Sequence, residues 1–131
     1  MKLGCKGYAQ HQQRRNDEDD NRSITLYRGV HGKHPDLHNA VNGMAVPRGL
    51  DFGHNNPIEH NRGDNNSIFT SWTTTKSMAR YFARRKGYGG VVLIKKFKLK
   101  ETVPSIDSHN QQEVLVPGIV TGAKVERVRP L

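Results

Sequence analysis

Three short segments carry residue types that could do chemistry on a charged ligand. An arginine closes the extended run Leu26-Tyr27-Arg28-Gly29. A hydroxyl cluster follows at Phe69-Thr70-Ser71-Trp72-Thr73. A carboxylate stands beside amides in Gln111-Gln112-Glu113. Successive side chains of an extended chain point to opposite faces, so Gln111 and Glu113 share one side. A planar guanidinium fork suits an anion such as phosphate. A carboxylate held in place suits a positive charge that develops during a reaction. Together they describe a polar cleft for a dianionic ligand on which a cation forms.

The elements that must position these groups follow from the pattern. Ser23–Val30 reads as a strand closed by a glycine turn, and 35–43 as a short helix stopped by Gly43. Residues 44–66, rich in Gly, Asn, Pro and His, form a long loop, a kind of segment usually functional or mobile. Ser67–Thr73 is a strand leading into a helix over 74–85, with Thr74 or Thr75 as its N-cap. On that helix Met78, Tyr81 and Phe82 share a face and are expected in the core, opposite Lys76, Arg80 and Arg84. Strands follow at 91–100, 113–116 and 123–128, the first ending with Phe97 and Leu99 inward and lysines outward. The class is α+β. Residues 1–22 lack periodicity and end in a charged run, and are expected to be a polar leader or linker before one domain at 23–131.

Composition narrows the classes. At 131 residues the chain suits one compact domain, and no apolar run reaches the length of a membrane span. The first residues have no apolar core of a secretory signal, and a lone Cys5 excludes an intrachain disulfide. The net charge of +9 is concentrated: between Asp64 and Glu101 there are nine Lys and Arg and no acid, whereas elsewhere 12 cations balance 12 acids. Such a patch favours an anionic partner, set against the plainer reading of a solvated face.

In order and spacing the three segments resemble the mono-ADP-ribosyltransferases of the cholera toxin and heat-labile enterotoxin type. The likeness runs from Leu26 to about Val128. Gly43-Met44-Ala45-Val46-Pro47-Arg48-Gly49 is similar to that family's Gly-Leu-Met-Pro-Arg-Gly segment. Glu59-His60-Asn61-Arg62-Gly63-Asp64 is similar to its Asp-His-Ala-Arg-Gly-Thr segment. The resemblance implies an ADP-ribosyltransferase fold of two packed, mainly antiparallel sheets and short helices around an NAD+ cleft. NAD+ would be the co-substrate, with no metal. Arg28, with Gly29, would hold an NAD+ phosphate or ribose oxygen. Ser71 would orient Glu113, and Thr73 would support the nicotinamide pocket. His60 and Phe69 would lie near NAD+, with Arg48 of lesser rank. Trp72 replaces the middle residue of the family's Ser-Thr-Ser and is expected to pack beneath the site. Glu113 would stabilise the ribose cation and hold the 2′-hydroxyl. Gln111 departs from the glutamate of arginine modifiers. A glutamine cannot act as a base, which points to a non-arginine protein side chain or RNA as acceptor. The resemblance further implies a toxin domain of a larger carrier or secretion apparatus, delivered into the target-cell cytoplasm and neutralised at home by an immunity protein.

Two other classes compete. Seven histidines, among them His31, His34, His38, His54 and His60, lie in Asn-rich surroundings that could mimic a His-Asn-His nuclease. His34 and His38 are four apart, as two ligands on a helix face would be. No strand-helix frame with a matching carboxylate follows them, and metal-free histidines are expected. A non-catalytic basic RNA-binding module is the third reading, although no aromatic platform for single strands is evident in the sequence.

Overall fold

Alternation in β1 (Ser23–Val30) sends Ile24, Leu26, Arg28 and Val30 to one face and Tyr27 and Gly29 to the other. In the computed structural model, which describes residues 22–50, 53–57, 60, 66–104 and 112–129, Leu26 and Val30 are fully buried. β1 pairs along its whole length with β3 (Val91–Lys98). β2 (Phe69–Thr73) pairs with β5 (Glu113–Pro117), which in turn meets the two-residue β4 (Val103–Pro104), while β6 (Lys124–Arg127) lies beyond β3. The strand order is β4-β5-β2-β1-β3-β6, every ladder antiparallel. Among the described residues, α1 (Leu37–Ala40) and α2 (Lys76–Arg84) are helices, and His60 lies in a further helical turn. A 3-10 turn at Leu99–Glu101 follows β3.

Where two packed sheets are expected, the described strands form a single six-stranded sheet. Its centre is nevertheless weakly joined. β1 and β3 share eight register pairs and β2 and β5 share five, but β1 and β2 share only Tyr27↔Thr73. The two halves part immediately beyond that pair, and the parting is where a cleft opens.

The sheet buries apolar side chains on both faces. Leu26, Val30, Leu93, Phe97, Trp72 and Val116 belong to the main core, with the Trp72 and Phe97 rings edge to face at 5.1 Å. On the opposite face Val92 packs against Ala79 and Ala83 of α2, with Tyr27 and Ile94 at the margin. Close packing here depends on Gly29: a Cβ on it would lie 1.9 Å from the Ala79 carbonyl oxygen.

This arrangement corrects the expected stripe on α2. The helix buries Ala79 and Ala83, while Met78 and Tyr81 are exposed and Phe82 is half-buried. Only small residues allow α2 to sit directly on β1, so its larger side chains project sideways. Thr75 is the N-cap, but its hydroxyl does not cap the helix; it donates to Gln112 Oε1 at 2.6 Å. Gly43, with φ of +79°, ends the turns after α1 in the left-handed region that favours glycine. Of the expected leader at 1–22, residues 1–21 lie outside the described residues.

Candidate active site

A cleft of about 620 Å³ opens where β1 and β2 part. Alternation along β2 places Phe69, Ser71 and Thr73 on one face, which lines the cleft, and the cross-strand register sets Glu113 opposite Thr73. β1 supplies Arg28 and Gly29, and Arg48 lines another part. His60 comes from a helical turn within the segment expected to be loop, its N–H donating to the Asn56 carbonyl at 3.2 Å. Every residue proposed for the NAD+ site and described in the structure therefore borders this cleft, whereas His38 and His54 of the competing metal-site reading do not. Trp72 does so only from beneath: it is 2% exposed and its Nε1 donates to Thr70 Oγ1 at 2.9 Å. Gln111 lies outside the described residues.

Arg28 crosses the gap between the strands. Its Nη1 donates to the Ser71 carbonyl at 3.1 Å, giving that backbone oxygen a partner where the ladder has ended. Its Nη2 meets Asp36 Oδ2 at 3.3 Å, and its Nε has no partner among the described residues. Asp36 is buried and satisfied several times over, accepting from Asn39 Nδ2 at 2.8 Å and from the Val46 N–H at 3.1 Å. Burial pushes the Arg28 pKa below its ordinary value, and Asp36 draws it back up.

His60 is the second organising group. It is buried, with Nδ1 2.6 Å from Ser67 Oγ and Nε2 2.8 Å from Ser71 Oγ, and the Phe69 ring stands edge-on at 6.1 Å. In a neutral imidazole one nitrogen donates and the other accepts, so the two serines take opposite roles. The Ser71 hydroxyl, expected to orient Glu113, thus meets His60; Glu113 is its diagonal neighbour across the ladder.

Several partners carry no signature in the sequence. Asp36 resembles a helix-capping acid there, and Ser67 an ordinary strand serine. Gln112 also ties the start of α2 to the approach to Glu113, through Thr75 and through its carbonyl, which accepts from the Thr74 N–H at 3.2 Å. Met78, Phe82 and Arg85 line the cleft, with the Arg85 guanidinium 5.4 Å from the Phe82 ring centroid. The one sequence signal for these three is the helical spacing around the alanines at 79 and 83.

His31 and His34 line the cleft beside Arg28. Each accepts a backbone N–H at Nδ1, from Lys33 at 3.1 Å and from Asp36 at 2.9 Å. Burial first, then the charge of Arg28, holds the His34 pKa down at about 4. Burial likewise lowers that of His31, helped by Lys86 and Arg85. His38 is exposed, and among the described residues no three His, Cys, Asp or Glu converge as metal ligands do.

Set beside known protein families, curated proteins and solved structures, the chain matches none of them.

Proposed function

We propose that the chain is the catalytic domain of a mono-ADP-ribosyltransferase toxin. In this reading it cleaves NAD+, releases nicotinamide and transfers ADP-ribose to a macromolecule of the target cell. One observation carries the reading: Arg28, His60, Ser71 and Glu113, from four separate segments, border a single cleft. Its volume of about 620 Å³ falls in the usual range for ligand sites, roughly 300–1,000 Å³. The lining also fits an anionic dinucleotide, because Arg28, Arg48 and Arg85 are balanced there by few acids and the Arg28 Nε has no partner among the described residues.

NAD+ would supply the glycosidic bond that breaks, its electron pair leaving with the nicotinamide. Arg28 would bind a phosphate or ribose oxygen, held in orientation by Asp36 and the Ser71 carbonyl. Glu113 would stabilise positive charge developing on the ribose and accept a hydrogen bond from its 2′-hydroxyl. Ser71, fixed through His60 to Ser67, would present its hydroxyl diagonally to Glu113. Thr73 and Phe69 would shape the nicotinamide end, with Gly29 at the cleft floor beneath α2. The acceptor would be a non-arginine protein side chain or RNA, since Gln111 offers no base to a guanidinium. Delivery by a larger carrier, action in the target-cell cytoplasm and an immunity protein belong to the same proposal.

The test is NAD+ labelled in its adenylate, incubated with the chain and a target-cell lysate. Label on protein or RNA, lost in Glu113→Ala, supports the reading. Absence of label with every lysate fraction contradicts it.

A further inference from the structure

We infer that the outer face of α2, with the adjoining sheet surface, binds single-stranded nucleic acid beside the mouth of the cleft. Three observations lead there. The helix has no acidic residue, and its exposed side carries Ser77, Arg80, Tyr81 and Arg84, which line a shallow groove of about 260 Å³ separate from the cleft. These positions are one, three and four residues apart, so they form one continuous stripe. Second, the stripe does not end with the helix. On the sheet face under α2, alternation from Val92 and Ile94 brings Lys96 outward, and the β6 register sets Lys124 opposite Ile94. Among the described residues, one acid forms ion pairs with this array. Glu126 meets Lys76 at 3.1 Å and reaches Arg80 and Lys124 only at 3.9 Å, and Arg84 forms no ion pair among the described residues.

Third, an aromatic ring stands among the cations. Tyr81 is 51% exposed, between Arg80 on the groove side and Phe82 on the cleft side, its ring 5.7 Å from that of Phe82. A backbone-tracking basic groove with a ring on which a base can stack is the combination that holds single strands irrespective of sequence. An acidic protein partner would call for an apolar core to its interface. This groove offers donors and one ring. Tyr81, exposed where the helical pattern places it in the core, reverses the expectation that the chain has no such platform. The binding itself does not depend on the proposed chemistry. Only the further step, in which the bound strand becomes the acceptor, rests on that reading.

The experiment is fluorescence anisotropy with a labelled twelve-nucleotide oligouridine and an oligothymidine of equal length, on the purified full chain without NAD+. Both should bind. Arg80→Ala/Arg84→Ala should weaken binding by about tenfold or more. It should also make the salt slope shallower by about 1.4, at about 0.7 for each phosphate that is no longer neutralised. Tyr81→Ala should weaken binding by at least about fivefold with the slope unchanged, and Tyr81→Phe should retain it. Lys33→Ala/Arg127→Ala removes the same charge elsewhere and should have a much smaller effect. Equal losses in that control, no effect of the α2 variants, or capture of polyglutamate but neither oligonucleotide would overturn the inference. Nicotinamide release without an acceptor, measured on the same variants, should stay at the wild-type level. Oligonucleotide binding by a chain that never consumes NAD+ would leave this surface standing and remove the proposed reaction.

Discussion

The Arg28 guanidinium donates to the Ser71 carbonyl at 3.1 Å across the point where β1 and β2 cease to pair. One side chain thus does what a ladder bond would otherwise do, while keeping the strands apart far enough for a cleft. The same guanidinium is neutralised by Asp36, so the site's principal cation is anchored on two sides before any ligand arrives.

That anchoring predicts a stability effect. Arg28 and Asp36 side chains are 11% and 7% exposed, and Asp36→Ala leaves a buried charge without its partner. Breaking such a pair costs on the order of 3–5 kcal/mol. Asp36→Ala is therefore expected to lower the melting temperature by more than about 10 °C. A loss below about 1 kcal/mol in chemical denaturation would show that solvent reaches the pair.

Gly29→Ala should be worse than its size suggests. The added carbon would meet the Ala79 carbonyl oxygen at 1.9 Å, so α2 must shift off the sheet. Overpacking of this kind costs about 1–3 kcal/mol or more. Urea titration should show the lower midpoint, and Met78 and Phe82 should shift with the helix, altering the cleft. An unchanged midpoint would mean that the helix yields at no cost.

Much of this frame is legible in the sequence because strong local patterns set it. β1, β3 and β5 carry uninterrupted β-branched or alternating residues, and their positions match the expected strands closely. The two-residue β4 has no period to read. The position of α2 is legible, but its buried face is not: Met, Tyr and Phe outrank Ala on any hydrophobicity argument, and only the closeness demanded by Gly29 makes Ala79 and Ala83 the contact. The cleft residues can be collected by type, whereas Asp36 cannot, since its role arises from a turn that folds it back on β1. The parting of the strands, a matter of one missing ladder, leaves no trace in composition.

A pH dependence follows from His34. Its pKa lies near 4 in the folded chain against 6.5 as the ordinary value. Between those values the unfolded chain binds the proton and the folded chain does not, so stability is complete above about pH 6.5 and declines as the pH falls toward 4. The full shift corresponds to about 3–4 kcal/mol at most, and solvent screening at this partly exposed ring reduces it to on the order of 1–2 kcal/mol. Melting at pH 7.5 and pH 5 should show the decline in wild type and a smaller one in His34→Asn. Identical slopes would assign it to other groups.

His60→Ala should affect both stability and turnover. It strips two serine hydroxyls of a buried partner, at a cost of about 1–3 kcal/mol, and it frees Ser71 to rotate. Nicotinamide release is expected to fall about tenfold or more, equivalent to about 1.4 kcal/mol in the barrier. His60→Gln, which keeps a donor and an acceptor, should recover part of it. A variant as active as wild type would remove the His60–Ser71 pair from the proposed site.

The most direct measurement is nicotinamide release from NAD+ by wild type and by Glu113→Gln, matched for folding by circular dichroism. Glutamine keeps the shape and hydrogen-bonding reach of the residue and removes only its charge. Carboxylate stabilisation of the developing ribose cation predicts release by the wild type and a loss of about a hundredfold or more in the variant. Equal rates in the two proteins, or no release by the wild type, would contradict the account.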